Sequence, residues 1–143
     1  MSKKKIYEAD DFIIEMVKNQ FAEDGFENFM NLQVMAIEKQ KDVIKVAKAP
    51  EPTEFLMDIP DTIQVFVYQN VFNDLDEETQ KFLVEFALQP IWFDSEKGKV
   101  CIERNPYKPL FELRKRYGER ADEMLEASYL AIKQFEDKQN NVL

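Results

Sequence analysis

The 143-residue chain contains no histidine. That absence removes histidine general bases, serine–histidine and cysteine–histidine nucleophile pairs, and every histidine-ligated metal. Cysteine occurs once, at Cys101, so neither an intramolecular disulfide nor a cysteine-cluster zinc site is available. Positive charge is in deficit, with 28 acids against 19 bases and a formal net charge of −9. Nonspecific nucleic-acid binding is therefore disfavoured, because no excess of cations is there to displace phosphate counterions. No apolar run follows the basic start "MSKKKIYEADD". Neither a secretory leader nor a membrane span is expected, and the expected location is cytoplasmic. Carboxylates, lysine, tyrosine and oxygen-ligated metals are the chemistry left to an enzyme.

Apolar residues are plentiful. They make up 45% of the chain, with twelve phenylalanines, enough for one core in one domain spanning residues 1–143. Residues 1–7 read as a frayed basic tail. Asp10 or Asp11 then caps a helix whose stripe is Phe12, Ile13, Met16, Val17 and Phe21, closed near Gly25. "NLQVMAIEK" and "KDVIKVAKA" read as two strands joined by a turn at "QKD", and "PEPTE" at 50–54 as loop. In "IPDTIQVFVYQNVF" the strand faces, Ile63, Val65 and Val67 against Gln64, Phe66 and Tyr68, are both apolar enough for cover on both sides.

Asp76 reads as the N-cap of a helix with Glu77 and Glu78 in its first turn and Phe82, Leu83, Phe86 and Ala87 on its buried stripe. Pro90 ends it. "IWFDSEKGKVCIER" reads as a hairpin turning at Gly98. Pro109 suits the first position of a short helix that Gly118 closes, and a last helix covers residues 119–140. The order of elements predicts an α+β fold: N-terminal helix, short antiparallel sheet, central helix, hairpin and C-terminal helices.

Three stretches carry a resemblance. "VFNDLDEETQKFLV", "IWFDSEKGKV" and "NPYKPLFELRKRYG" are similar, in order and spacing, to the lead-in, hairpin and closing segments of the zincin-like phage metallopeptidase family, over about residues 42–118. That family places His-Glu-Leu-x-His on the helix and a third histidine after the hairpin. Two imidazoles one helical turn apart bind zinc, and the glutamate activates water. In this chain the matching positions are Phe86, Ala87 and Pro90, with Asn105 at the third ligand. The resemblance thus implies a degenerate zincin-like fold without zinc, a pseudo-enzyme needing no metal or cofactor.

The net charge keeps a protein soluble, and it also suits a basic partner. With the resemblance, it leads to the expectation of a non-catalytic phage-type protein acting by protein binding in a bacterial host cell. The expected target is a host protein or nucleoprotein complex that handles nucleic acid, such as a CRISPR effector, a restriction enzyme or RNA polymerase. Trp92 is the candidate anchor, with Asp94, Glu96, Glu77 and Glu78 as candidate acidic contacts. One alternative is a virion or replication assembly protein, oligomerising through the C-terminal helix. Another is a magnesium-dependent hydrolase built on Asp58, Asp61, Asp74, Asp76, Glu77 and Glu78. "RKR" at 114–116 reads as solvated charge at a helix end, and Cys101 as a small core residue.

Overall fold

In a computed structural model the fold is α+β, and residues 5–49, 61–105 and 107–141 are described. The elements run β1 (Ile6–Glu8), α1 (Asp11–Glu23), β2 (Asn31–Ile37), β3 (Ile44–Lys48), β4 (Thr62–Val67), α2 (Gln69–Phe72), α3 (Glu77–Leu88), β5 (Ile91–Asp94), β6 (Lys99–Ile102), α4 (Tyr107–Tyr117) and α5 (Glu119–Asn141). The main sheet has the order β1-β2-β4-β3, and β5 and β6 form a separate hairpin.

Residues 6–8 are not a tail. Ile6–Glu8 pairs antiparallel with Met35–Ile37, as an edge strand. The loop expected at 50–54 and the candidate ligand Asp58 lie outside the described residues. The expected hairpin between β2 and β3 is absent. β4 lies between them, parallel to β2 (Asn31 opposite Thr62) and antiparallel to β3 (Ile44 opposite Val67). The link over residues 38–43 therefore crosses the end of β4, a span of about 9.6 Å at ordinary strand spacing. Gln40, from the expected turn, is buried on this link. Its side-chain amide donates to the Phe66 carbonyl at 2.8 Å and the Val43 carbonyl at 3.3 Å.

Alternation along β4 puts Ile63, Val65 and Val67 in the core. The other face is less covered than its composition predicts, with Gln64 and Phe66 only half-buried. Tyr68 is the exception. It is buried beneath Phe135 of α5 in an edge-to-face contact at 5.9 Å and donates to Glu136 at 3.2 Å. The chain turns into α2 at Gln69 rather than extending the strand, and the Gln69 side chain accepts from the Asp10 N–H at 2.8 Å.

Both expected N-caps hold cap positions, Asp10 before α1 and Asp76 before α3, but neither side chain makes a cap hydrogen bond. The start of α4 also differs from expectation. The helix opens at Tyr107, so Pro109 is its third residue, and the Asn105 side-chain carbonyl accepts from the Tyr107 N–H at 3.0 Å. Gly118, at φ 61, lets the chain turn from α4 into α5. Arg114 clamps that joint with two bonds to Asp122, at 3.0 and 2.7 Å.

The core joins Ile13, Val17 and Phe21 of α1, the β4 valines, and Phe82, Leu83, Val84 and Leu88 of α3. Phe82 is fully buried, stacked on Phe86 at 5.8 Å and edge-on to Tyr117 at 5.5 Å. The apolar face of α5 is used within the chain, where Ala121, Met124 and Ile132 are buried. No helix among the described residues is long and apolar enough to cross a membrane. Replacing Phe82 by Ala removes the centre of this core, and the expected loss is about 3–5 kcal/mol in urea unfolding. A loss below about 1 kcal/mol would contradict the packing described.

Candidate functional site

The last turn of α3 ends against the sheet, and a cleft of about 260 Å³ opens there. The helix contributes Phe86 and Ala87 to its wall. Pro90 follows where the helix stops, and Asn105 comes in just before α4. The structure thus brings together all four positions aligned with the zinc motif. Across the cleft stand Ile44 and Val46 of β3 and Leu125, Ser128 and Tyr129 of α5. Its volume lies below the roughly 300–1,000 Å³ of small-molecule sites, a size suited to one large side chain.

The polar groups of this cleft are mostly committed to the fold. Asn105 accepts from Tyr107 through its side chain, and its N–H donates to Glu103 at 3.1 Å. The Ser128 hydroxyl donates to the Leu125 carbonyl of its own helix at 2.6 Å. Tyr129 donates to Asp42 at 2.8 Å, tying α5 to the start of β3 at one end of the cleft. Burial, and then the hydrogen bond to Asp42, push the Tyr129 hydroxyl up to about 12. Among the described residues, no group of three or more histidine, cysteine, aspartate or glutamate side chains is placed to hold a metal.

Val43 to Val46 line the cleft on the side of the sheet. β3 is the outer strand, paired on one side only. Tyr68 N–H donates to the Val43 carbonyl at 2.7 Å, and Ala49 N–H donates to the Thr62 carbonyl at 2.8 Å. In an antiparallel ladder such pairs recur at every second residue. Val43, Lys45, Ala47 and Ala49 therefore turn their N–H and C=O groups to β4, while Ile44 and Val46 turn theirs outward. Among the described residues nothing pairs with the outward groups of Ile44 and Val46. The unpaired outer side of β3, which β6 approaches without pairing among the described residues, and an apolar cleft thus lie side by side.

The expected contact residues lie in two places, the hairpin and the start of α3. Trp92 is exposed, at 47%. Asp94 is used in the hairpin turn, where its carboxylate accepts from the N–H groups of Glu96 and Lys97 at 3.0 and 3.2 Å, and Glu96 is exposed on the same turn. Glu77 and Glu78 sit at the far end of α3, about 16 Å along its axis. They pair there with Lys81 at 3.6 Å and Arg120 at 2.9 Å.

Of the acidic set considered for magnesium, Asp61 is committed to the fold. Asp61 accepts from Val100 N–H at 3.1 Å and pairs with Lys48 at 3.4 Å, tying β4 to the hairpin and β3. The bases of 114–116 are paired rather than merely solvated. Arg114 meets Asp122, Lys115 meets Glu112 at 3.4 Å, and Arg116 lies 3.1 Å from Glu85. Cys101 is half-buried opposite Trp92 in the hairpin.

Tyr129 and Asp42 are 87 residues apart. No local pattern links them, and the role of β3 as an edge depends on where β4 inserts. Comparison with family models, with curated proteins and with solved structures finds no match to this chain.

A tyrosine whose hydroxyl is pushed up in the folded chain supports folding fully below its ordinary value of 10.0. That support is lost as pH rises through about 12. Tyr68 is shifted to the same value by burial and then by Glu136. Unfolding measured across this alkaline window should show a steep fall in stability, shallower in Tyr129→Phe. Identical slopes would show that the bond to Asp42 does not hold the cleft's end.

Proposed function

We propose that the chain is a non-catalytic binding protein that takes an extended segment of a partner protein along the open edge of β3. One apolar side chain of that segment sits in the adjoining cleft. The observation that carries this reading is the pairing of unused backbone groups at Ile44 and Val46 with an apolar cavity beside them. Strand addition of this kind draws affinity from main-chain bonds and specificity from a side-chain pocket. Phe86, Ala87 and Pro90 suit the role, because they supply apolar wall where the phage metallopeptidases carry zinc ligands and a base. A degenerate member of that fold, kept for binding, is the origin this supports.

The partner in this reading is a host protein or nucleoprotein complex that handles nucleic acid, and binding blocks or redirects it. The support is the net charge of −9, which favours encounter with a basic surface and raises the association rate. Screening shortens from about 10 Å at 0.1 M salt to about 3 Å at 1 M, so steering of this kind is salt-sensitive.

Affinity capture from bacterial lysate, comparing the chain with Ala87→Phe, tests the reading. Ala87 is nearly buried and lines the cleft, so a phenylalanine there fills it, at a stability cost of about 1–3 kcal/mol. The expected result is one nucleic-acid-handling complex held at low salt, lost at high salt and not held by folded Ala87→Phe. Equal capture by both chains would sink the cleft. Recovery of the chain alone, as a defined oligomer, would favour the assembly reading.

A further inference from the structure

The cleft does not end at α4. A second cavity, of about 430 Å³, opens beyond Pro90, Glu103 and Pro109, and these three residues line both. Its outer walls are Trp92 of the hairpin and Lys108 and Glu112 of α4. The alternation of β5 explains the position of the indole. Ile91 is buried and Phe93 stacks on Phe29 at 5.1 Å, so Trp92 between them points to the opposite face.

We propose that the two cavities are consecutive subsites for one extended protein segment. The apolar side chain enters the cleft beside β3, and a basic side chain, preferentially arginine, lies over Trp92 between Glu103 and Glu112. This deepens the function proposed above and rests on it. The charges and the ring together select the occupant. Glu103 and Glu112 line this cavity, each paired with one exposed lysine, Lys108 at 3.3 Å and Lys115 at 3.4 Å, and the chain as a whole is acidic.

The Asn105 N–H, and then the Lys108 ammonium, hold the Glu103 carboxyl below its ordinary range, so it is present as the anion. Lys108 lies 3.3 Å from Glu103 with its side chain 64% exposed. A pair this open contributes little and gives way readily. An incoming guanidinium can replace it in a charge-assisted bond to Glu103 while its plane stacks on the indole, a combination a carboxylate or an aliphatic side chain cannot make. An acidic side chain would instead meet Glu103 and Glu112 at close range.

Trp92 is the single tryptophan, so its emission reports on this cavity alone. The test uses capped serine hexapeptides carrying one leucine and, one to four residues further on, either arginine or its neutral isostere citrulline. The expected result is that one arginine spacing binds about tenfold tighter than its citrulline counterpart and shifts the Trp92 emission. The double variant Glu103→Gln with Glu112→Gln should bring that ratio close to one. Ala87→Phe should abolish leucine-dependent binding with either peptide. Leucine peptides that bind equally well with arginine and citrulline would overturn the second subsite and leave the first standing. No leucine-dependent binding up to about 1 mM, where the standard free energy is only about −4.1 kcal/mol, would overturn both.

Discussion

The pairing of β4 between β2 and β3 is the constraint on which the rest depends. β4 contributes Ile63, Val65 and Val67 to the core, each almost wholly buried. It holds β2 in a six-residue parallel register and β3 in an antiparallel one. Because β4 takes the inner position, β3 becomes an edge, and among the described residues its outward N–H and C=O groups at Ile44 and Val46 have no ladder to join. Because α3 follows closely through α2, its last turn is delivered beside that edge. The cleft is the gap left where a helix stopped by proline meets a strand with one side unpaired.

Pro90 matters twice. It forbids continuation of α3, and it turns the chain into the hairpin that presents Trp92 on its outward face. Its carbonyl also accepts from Glu103 N–H at 2.7 Å, returning the end of the hairpin to the end of the helix. Pro90 therefore joins the cleft to the second cavity together with Glu103 and Pro109. A histidine here could not define the same boundary, since it would allow the helix another turn. The opposite end is closed from a distance by α5, through the bond from Tyr129 to Asp42. Backbone edge, helix end and two aromatic walls make a surface suited to holding a chain.

Elements with strong local signals were legible in the sequence. The stripe Ile13, Val17 and Phe21 marks α1, the acid-led start and Pro90 bound α3, and Gly98 turns the hairpin. Pairing was not legible. β2 and β3 are adjacent in sequence and read as a hairpin, yet a distant strand separates them, and short β-branched runs carry no mark of their partner. The strand at Ile6–Glu8 was hidden by the charge of the lysines before it. Phe86, Ala87, Pro90 and Asn105 were picked out by resemblance, and the fold gathers them around one cleft. The acids fared differently, since Glu77, Glu78 and Asp94 read as candidate acidic contacts and are engaged in ion pairs or a turn. Tertiary partners decide that, and composition does not carry them.

Residue-resolved amide exchange, on the chain alone and with a bound partner segment, tests the central claim most directly. In the free chain Lys45 and Ala47, bonded to β4, should exchange slowly, and Ile44 and Val46, turned outward, should exchange fast. On binding, Ile44 and Val46 should become protected while Lys45 and Ala47 change little. Slow exchange at Ile44 and Val46 in the free chain, or no added protection in the complex, would contradict the account.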